Sequence, residues 1–312
     1  MVHLLFKTLH FILFPAIPSL IMTLTPQTRA AASTERWSLS IDGTAVSLAI
    51  THRTGSLPPI LFLHGFGSTK EDFTDVLLRR SFNKHSIIAY DAPGCGESTC
   101  SEPSNLSIPF LVKTAEAVLD TLGVKQFHLV GHSMGGLTAL ELAHSNPDRV
   151  LSFTNIKGNL APEDCFLSRQ IFDYPASDDE AFFQDFITRT AQSPYFGSSL
   201  YAATLKHKVR CESTRPIFTS MVRLSDESDL LGKFLALECP RVFMFGEQFE
   251  SLRYLPTLAK QGVVLARIPH CGHFPMYSNP VAMWEHIGGN IEAEEIGDVR
   301  DMDHRPCTSL RK

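Results

Sequence analysis

The chain reads as an α/β protein built on a mostly parallel sheet with helices on both faces. Two features carry that expectation. Strand-like and helix-like segments alternate through the first half, and the strand-like segments are short continuous apolar runs. Continuous runs mark strands covered on both faces, whereas a half-exposed sheet shows alternation. A third feature is a change of pattern from Gly158 to Cys239, where strand signals vanish, followed by their return.

In chain order, "WSLSIDGTAVSLAIT" from Trp37 alternates around Asp42-Gly43, a hairpin signal. "PPILFLHGFGS" holds a buried strand, Ile60–Leu63, running into a glycine-rich turn, and "KEDFTDVLLRRSF" reads as a helix. "SIIAYDAPGCGES" gives a second buried strand, Ile87–Tyr90, and a Pro/Gly loop. "IPFLVKTAEAVLDTLGV" has apolar residues at helical spacing with Gly123 as its stop. "FHLVGHSMGG" is a strand, Phe127–Val130, entering a glycine-boxed turn; "MGGLTALELAHSNPD" is the helix after it and "VLSFTNI" the next strand. Residues 158–239 are expected to be a mainly helical insertion rich in Phe and Tyr. "RVFMFGEQ" and "GVVLARIPHCGHFPM" restore the strands, and "SNPVAMWEHIGGNIEAE" is a final helix with Asn279 as cap and Pro280 at its first position. Residues 1–36 read as a leader and 294–312 as a polar tail.

Bulk properties bound the partners. The 312 residues, 44% hydrophobic and 20% charged, suit an ordinary globular protein, and a net charge of −5 gives no electrostatic case for nucleic acid. The seven cysteines are odd in number, irregularly spaced and without C-x-x-C, as for reduced thiols in the cytoplasm. "FILFPAIPSLIM" is apolar but short and broken by Pro15 and Pro18, so no stable membrane span is expected. With Lys7 before it and Ala30–Ala32 after, it leaves secretion open, as it does a start at Met22. "HCGH" lacks a second ligand cluster with zinc-like spacing, so a metal is not expected there, and the serine chemistry at Ser133 implies no cofactor.

The chemistry gathers around Ser133. G-x-S-x-G is a cheap pattern by itself, but here it joins a strand to a helix, the setting of a nucleophile elbow. The helix N-terminus favours negative charge, and the amide of Met134 would face a developing oxyanion. "HGFG" follows an earlier strand, so in a parallel sheet the amide of Phe66 becomes the second oxyanion donor. His273, just past the last strand, is placed to act as general base. His64 and His132 are expected to be structural, and Asp91 a turn residue.

These segments ("LFLHGFG", "YDAPGCGES", "LVGHSMGG", "FMFGEQ" and "IPHCGHFPM") resemble the α/β-hydrolase family over about residues 37–293. The resemblance implies an eight-stranded mostly parallel sheet, residues 37–157 and 240–293 as its core, a lid over 158–239, and a Ser–acid–His triad in that chain order. The acid departs from the pattern. The usual position after the seventh strand falls at Phe249, and the alternative after the sixth falls near Lys157. Glu250 is the first candidate and Asp164, beside Glu163, the second; Glu247 is a third, and a missing acid is a further alternative. The function expected is that of a serine hydrolase cleaving an ester, lactone or related acyl bond of a small, apolar or aromatic molecule. A serine nucleophile argues against the epoxide-hydrolase and haloalkane-dehalogenase branches, which use Asp. The rival reading is a non-catalytic small-molecule binder on the same frame.

Overall fold

The computed structural model describes residues 32–303 apart from residue 176, and for 295–303 the backbone alone. The apolar run before Met22, residues 1–31 of the expected leader, and Cys307 lie outside the described residues. Among the described residues nine strands form one sheet: β1 Ser33–Ile41, β2 Thr44–Arg53, β3 Leu57–Leu63, β4 His85–Tyr90, β5 Thr99–Cys100, β6 Phe127–His132, β7 Val150–Ile156, β8 Arg241–Gly246 and β9 Val264–Ile268. Eight of them lie in the order β1-β2-β4-β3-β6-β7-β8-β9, and the two-residue β5 pairs with β2 off that path. β1–β2 and β2–β4 are antiparallel, and every pairing from β4 through β9 is parallel. The extra strand beyond the expected eight is this short β5.

Local chemistry explains the elements. The β1–β2 hairpin turns on Asp42 and Gly43, both at positive φ (48° and 80°), the twist-matched two-residue turn that Asp-Gly favours. β1 begins at Ser33, inside the segment expected as leader. β6 is buried along its whole length, as a central parallel strand requires. Lys70–Phe82, expected as one helix, is a pair of 3₁₀ segments, Lys70–Leu78 and Arg80–Phe82. Helices α1 (Ile108–Thr121) and α2 (Met134–Ser145) pack against each other, α2 also against β6 and β7. Ser107 caps α1 by accepting from the Phe110 amide.

Between β7 and β8 the described chain forms 3₁₀ turns and helices α3 (Asp179–Ala191), α4 (Phe196–Lys208), α5 (Thr214–Glu227) and α6 (Leu230–Leu235). After β8 come α7 (Leu255–Lys260), α8 (Pro275–Ser278) and α9 (Pro280–Asp303). The stretch from 294, expected as a tail, is therefore helical as far as Asp303. Among the described residues no helix is long and apolar enough to cross a membrane, and the described cysteines form no disulfide.

The order places the chemistry. β3 lies between β4 and β6, so the connections after β3 and β6 leave the sheet in opposite directions. Such a switch point opens a crevice at the carboxyl ends of the strands. Leu63 pairs with Gly131 across β3–β6, and His132 with Ile156 across β6–β7. The turns carrying Phe66, Ser133 and Lys157 are thereby neighbours on one edge.

Candidate active site

Ser133 stands at φ 54° and ψ −118° between β6 and α2, a conformation L-residues rarely adopt. Close approach of backbone holds it there. A Cβ on Gly135 would lie 2.2 Å from the Leu63 carbonyl oxygen, and one on Gly131 would lie 2.4 Å from that of Gly135. Only glycine fits at both positions, so the Ser133 side chain is lifted out of the turn while its amide donates to Ile156 O at 2.9 Å. Met134 is the first residue of α2, and its N–H has no acceptor within the helix.

The loop after β3 is fixed from behind. The Ala92 amide donates to His64 Nε2 at 2.8 Å, which puts the ring proton on Nδ1, 2.7 Å from Gly65 O. From the other side Tyr201 of α4 donates its hydroxyl to Phe66 O at 2.8 Å. Asp91 is a buried anchor for the same loop: it accepts from the Lys70 amide, the Lys70 ammonium and the Glu97 amide.

His273 follows β9 and lines the same cavity as Ser133, Phe66 and His132. That cavity measures about 210 Å³. Its apolar wall is Phe66, Phe186 and Phe218, packed ring on ring, together with Phe166, Met221 and Phe274. Lys157, Asn159, Asp164, Arg189 and Gln248 give it polar points. His132, the residue before the serine, donates from Nε2 to the His273 carbonyl at 2.8 Å and ties the two turns together. Its Nδ1 is then a bare, buried acceptor without a partner, and burial pulls its pKa down to about 4. His273 is likewise held neutral, its pKa well below the ordinary value through burial, with His132 and the Lys157 ammonium adding to the effect.

Among the described residues, no side chain hydrogen-bonds the His273 ring, and Ser133 Oγ is not in hydrogen-bond contact with it. The ring is instead surrounded by rings: His132 at 4.9 Å, Phe274 at 5.0 Å and Phe249 at 5.6 Å between centroids. The carboxylates considered for the triad lie as follows. Glu250 and Glu247 both pair with Arg267 on β9, and the Glu250 side chain is half exposed. The 3₁₀ turn Glu247–Phe249 turns Phe249 inward, 7% exposed, so its two glutamate neighbours are left to the surface cation. Glu163 accepts from the Arg253 amide.

Asp164 is fully buried on the cavity wall, but its partners are other groups. Oδ1 accepts from Lys157 Nζ at 2.5 Å and Tyr254 OH at 3.0 Å, and Oδ2 from the amides of Leu160 and Ala161. Lys157, at φ 47°, lays its ammonium 4.6 Å from the centre of the Phe249 ring. The two positions where the resemblance places the acid thus hold a phenyl ring and an ammonium in contact with one another. Sequence reasoning did not foresee the Lys157–Asp164 pair or the Tyr201 clamp. The lysine in "NIKGN" was the available signal for the first, and a lone tyrosine on α4 offered none for the second.

The match to the alpha/beta hydrolase fold family runs over residues 58–226, more than half of the chain. The chain belongs to this family. Pimeloyl-[acyl-carrier protein] methyl ester esterase of Aeromonas hydrophila subsp. hydrophila is 31% identical over 117 residues, 38% of this chain and 42% of that protein. Epoxide hydrolase 2 of Siraitia grosvenorii is 35% identical over 103 residues, 33% of each. The chain therefore spans well under half the length of these curated relatives. A structure from a study of carboxylesterases of the Thaumarchaeon Nitrososphaera gargenis superposes at TM-score 0.69 and 14% identity, over 84% of this chain and 100% of that one. Likeness at that identity is likeness of fold. Within the family frame, serine stands in the turn between β6 and α2, and among the described residues no carboxylate hydrogen-bonds the His273 ring.

Proposed function

We propose that the chain is a serine hydrolase acting on an ester, lactone or related acyl bond of a small molecule. The strained turn at Ser133, enforced by backbone contacts at Gly131 and Gly135, is the observation that carries this reading. A serine in that conformation, facing a cavity it shares with a neutral histidine, has what acyl transfer requires. Esterase and hydrolase names among the relatives support a hydrolase, and the esterase an acyl bond.

In the proposed reaction Ser133 Oγ bonds to the acyl carbon as its proton passes to His273. The carbonyl oxygen takes up the negative charge against the amides of Phe66 and Met134. Collapse breaks the bond to the leaving group, which departs with the proton from His273. Water then gives a proton to His273 and attacks the acyl carbon. The second collapse restores the Ser133 hydroxyl and releases the acid. His273 acts here without a carboxylate to orient it, and burial, with His132 and the Lys157 ammonium adding to it, holds it neutral. The helices between β7 and β8 supply Phe186, Phe218 and Met221 to the cavity wall and serve as the lid.

A second reading, a small-molecule binder of little or no turnover, is favoured by one observation: Phe249 and Lys157 stand where an acid would. A fluorophosphonate probe separates the two. The wild type should be labelled and Ser133→Ala should not. A folded wild type that stays unlabelled would overturn the hydrolase reading.

A further inference from the structure

The donors on the cavity wall outnumber the acceptors that meet them. An ammonium has three N–H groups. That of Lys157 is 96% buried by its side-chain exposure of 4%. One N–H goes to Asp164, and the Phe249 ring covers another side of the group. No further acceptor hydrogen-bonds Nζ among the described residues. Asp164 is saturated by four donors and has no capacity left for a ligand.

Arg189 repeats the pattern independently. Its Nε is 3.1 Å from Asp185, while its Nη2 is buried without a hydrogen-bond partner. Among the described residues the cavity lining holds two cations, Lys157 paired with Asp164 and Arg189 paired with Asp185, and each keeps N–H groups that these carboxylates do not meet. Buried donors without acceptors are costly, so a ligand that supplies an acceptor there binds by removing that cost.

We infer that the substrate carries a carboxylate, received at Lys157, in addition to the bond cleaved at Ser133. The substrate class is a monoester of a short dicarboxylic acid, or a lactone bearing a free carboxylate, its apolar spacer against Phe66, Phe186 and Phe218. Lys157 then decides specificity without touching the reacting bond. The inference rests on Ser133 and His273 being the reacting end of the cavity.

The test compares monomethyl glutarate with methyl pentanoate, which differ by a carboxylate in place of a methyl group. In the wild type kcat/KM should favour the glutarate ester by about tenfold or more, as expected for a charged hydrogen bond. The preference should fall by about 10- to 100-fold in the double variant Lys157→Met/Asp164→Asn, which removes both charges and leaves no carboxylate unpaired. Binding of the same two esters to Ser133→Ala, measured by calorimetry, needs no turnover and no substitution at Lys157. Equal handling of the two esters by wild type, or equal binding by Ser133→Ala, overturns the inference while leaving the hydrolase reading intact. Selective binding of the glutarate ester with no hydrolysis of either ester overturns the hydrolase reading and leaves the carboxylate site standing.

Discussion

At Ser133 the turn is held by backbone against glycine; at Phe249, two strands along the same edge, the turn is held by side chains against side chains. Gly131 and Gly135 leave no room for another residue, so the elbow has one geometry. The turn after β8 depends on which way three successive side chains point, and here Phe249 takes the interior while Glu247 and Glu250 go to Arg267. The contrast teaches that the Ser133 half of the site is specified by steric necessity. The histidine's support is specified by side-chain identity, which a few substitutions change.

Removing the elbow's hydroxyl should have the largest effect. Ser133→Ala is expected to lower turnover by at least about a thousandfold with little change in melting temperature, read from ester hydrolysis and a thermal melt. Loss of activity together with loss of fold would mean that the serine is structural. Next comes the steric claim: Gly135→Ala forces a carbon against the Leu63 carbonyl and should destabilise by about 1–3 kcal/mol in urea unfolding. An unchanged midpoint would show that the elbow has slack.

On the other side of the comparison, Phe249→Asp puts a carboxylate beside His273. Turnover at neutral pH should rise about tenfold or more, because an orienting carboxylate is worth up to about ten-thousandfold in a complete triad. A fall in kcat for a folded variant would show that the Phe249 ring does something a carboxylate cannot replace.

The pH profile sharpens the same contrast more gently. The proposed reaction needs neutral His273, and burial, with His132 and Lys157, lowers its pKa. The rate should therefore stay level as pH falls through 6.5, the ordinary histidine value, and decline only further into acid. Stability is lost earlier on the way into acid. His132 and His128 have folded-state pKa values near 4 and 3, below the unfolded value near 6.5. The unfolded chain binds more protons in that window, so stability declines as pH falls from about 6.5 toward 4. A rate that halves near pH 6.5 while the fold is intact would place a normal histidine in the site.

The sequence made the sheet and the strained turn at Ser133 legible because both obey short-range rules. The buried run Phe127–Val130, the glycines at 131 and 135 and the Asp42-Gly43 turn each dictate a local backbone. The helical character of 158–239 was readable from lost strand signals, and the cavity-facing rings Phe186 and Phe218 were not, since facing is a tertiary property. Lys70–Phe82 looked helical by composition and is 3₁₀, tightened where the Lys70 amide and ammonium both reach back to Asp91. The carboxylates were the hardest to read. Glu250 is adjacent in sequence to the residue that faces His273, and its partner Arg267 comes from β9, a pairing that only the β8–β9 register reveals.

The most direct test of the central claim, that His273 works without a carboxylate from the turn after β8, is the turnover of Glu247→Gln/Glu250→Gln on a p-nitrophenyl ester. Both side chains are taken up by Arg267, so kcat should stay within about twofold of wild type, as for exposed ion pairs. A drop of about a thousandfold or more in the folded variant would mean that one of these glutamates orients His273, and would contradict the account.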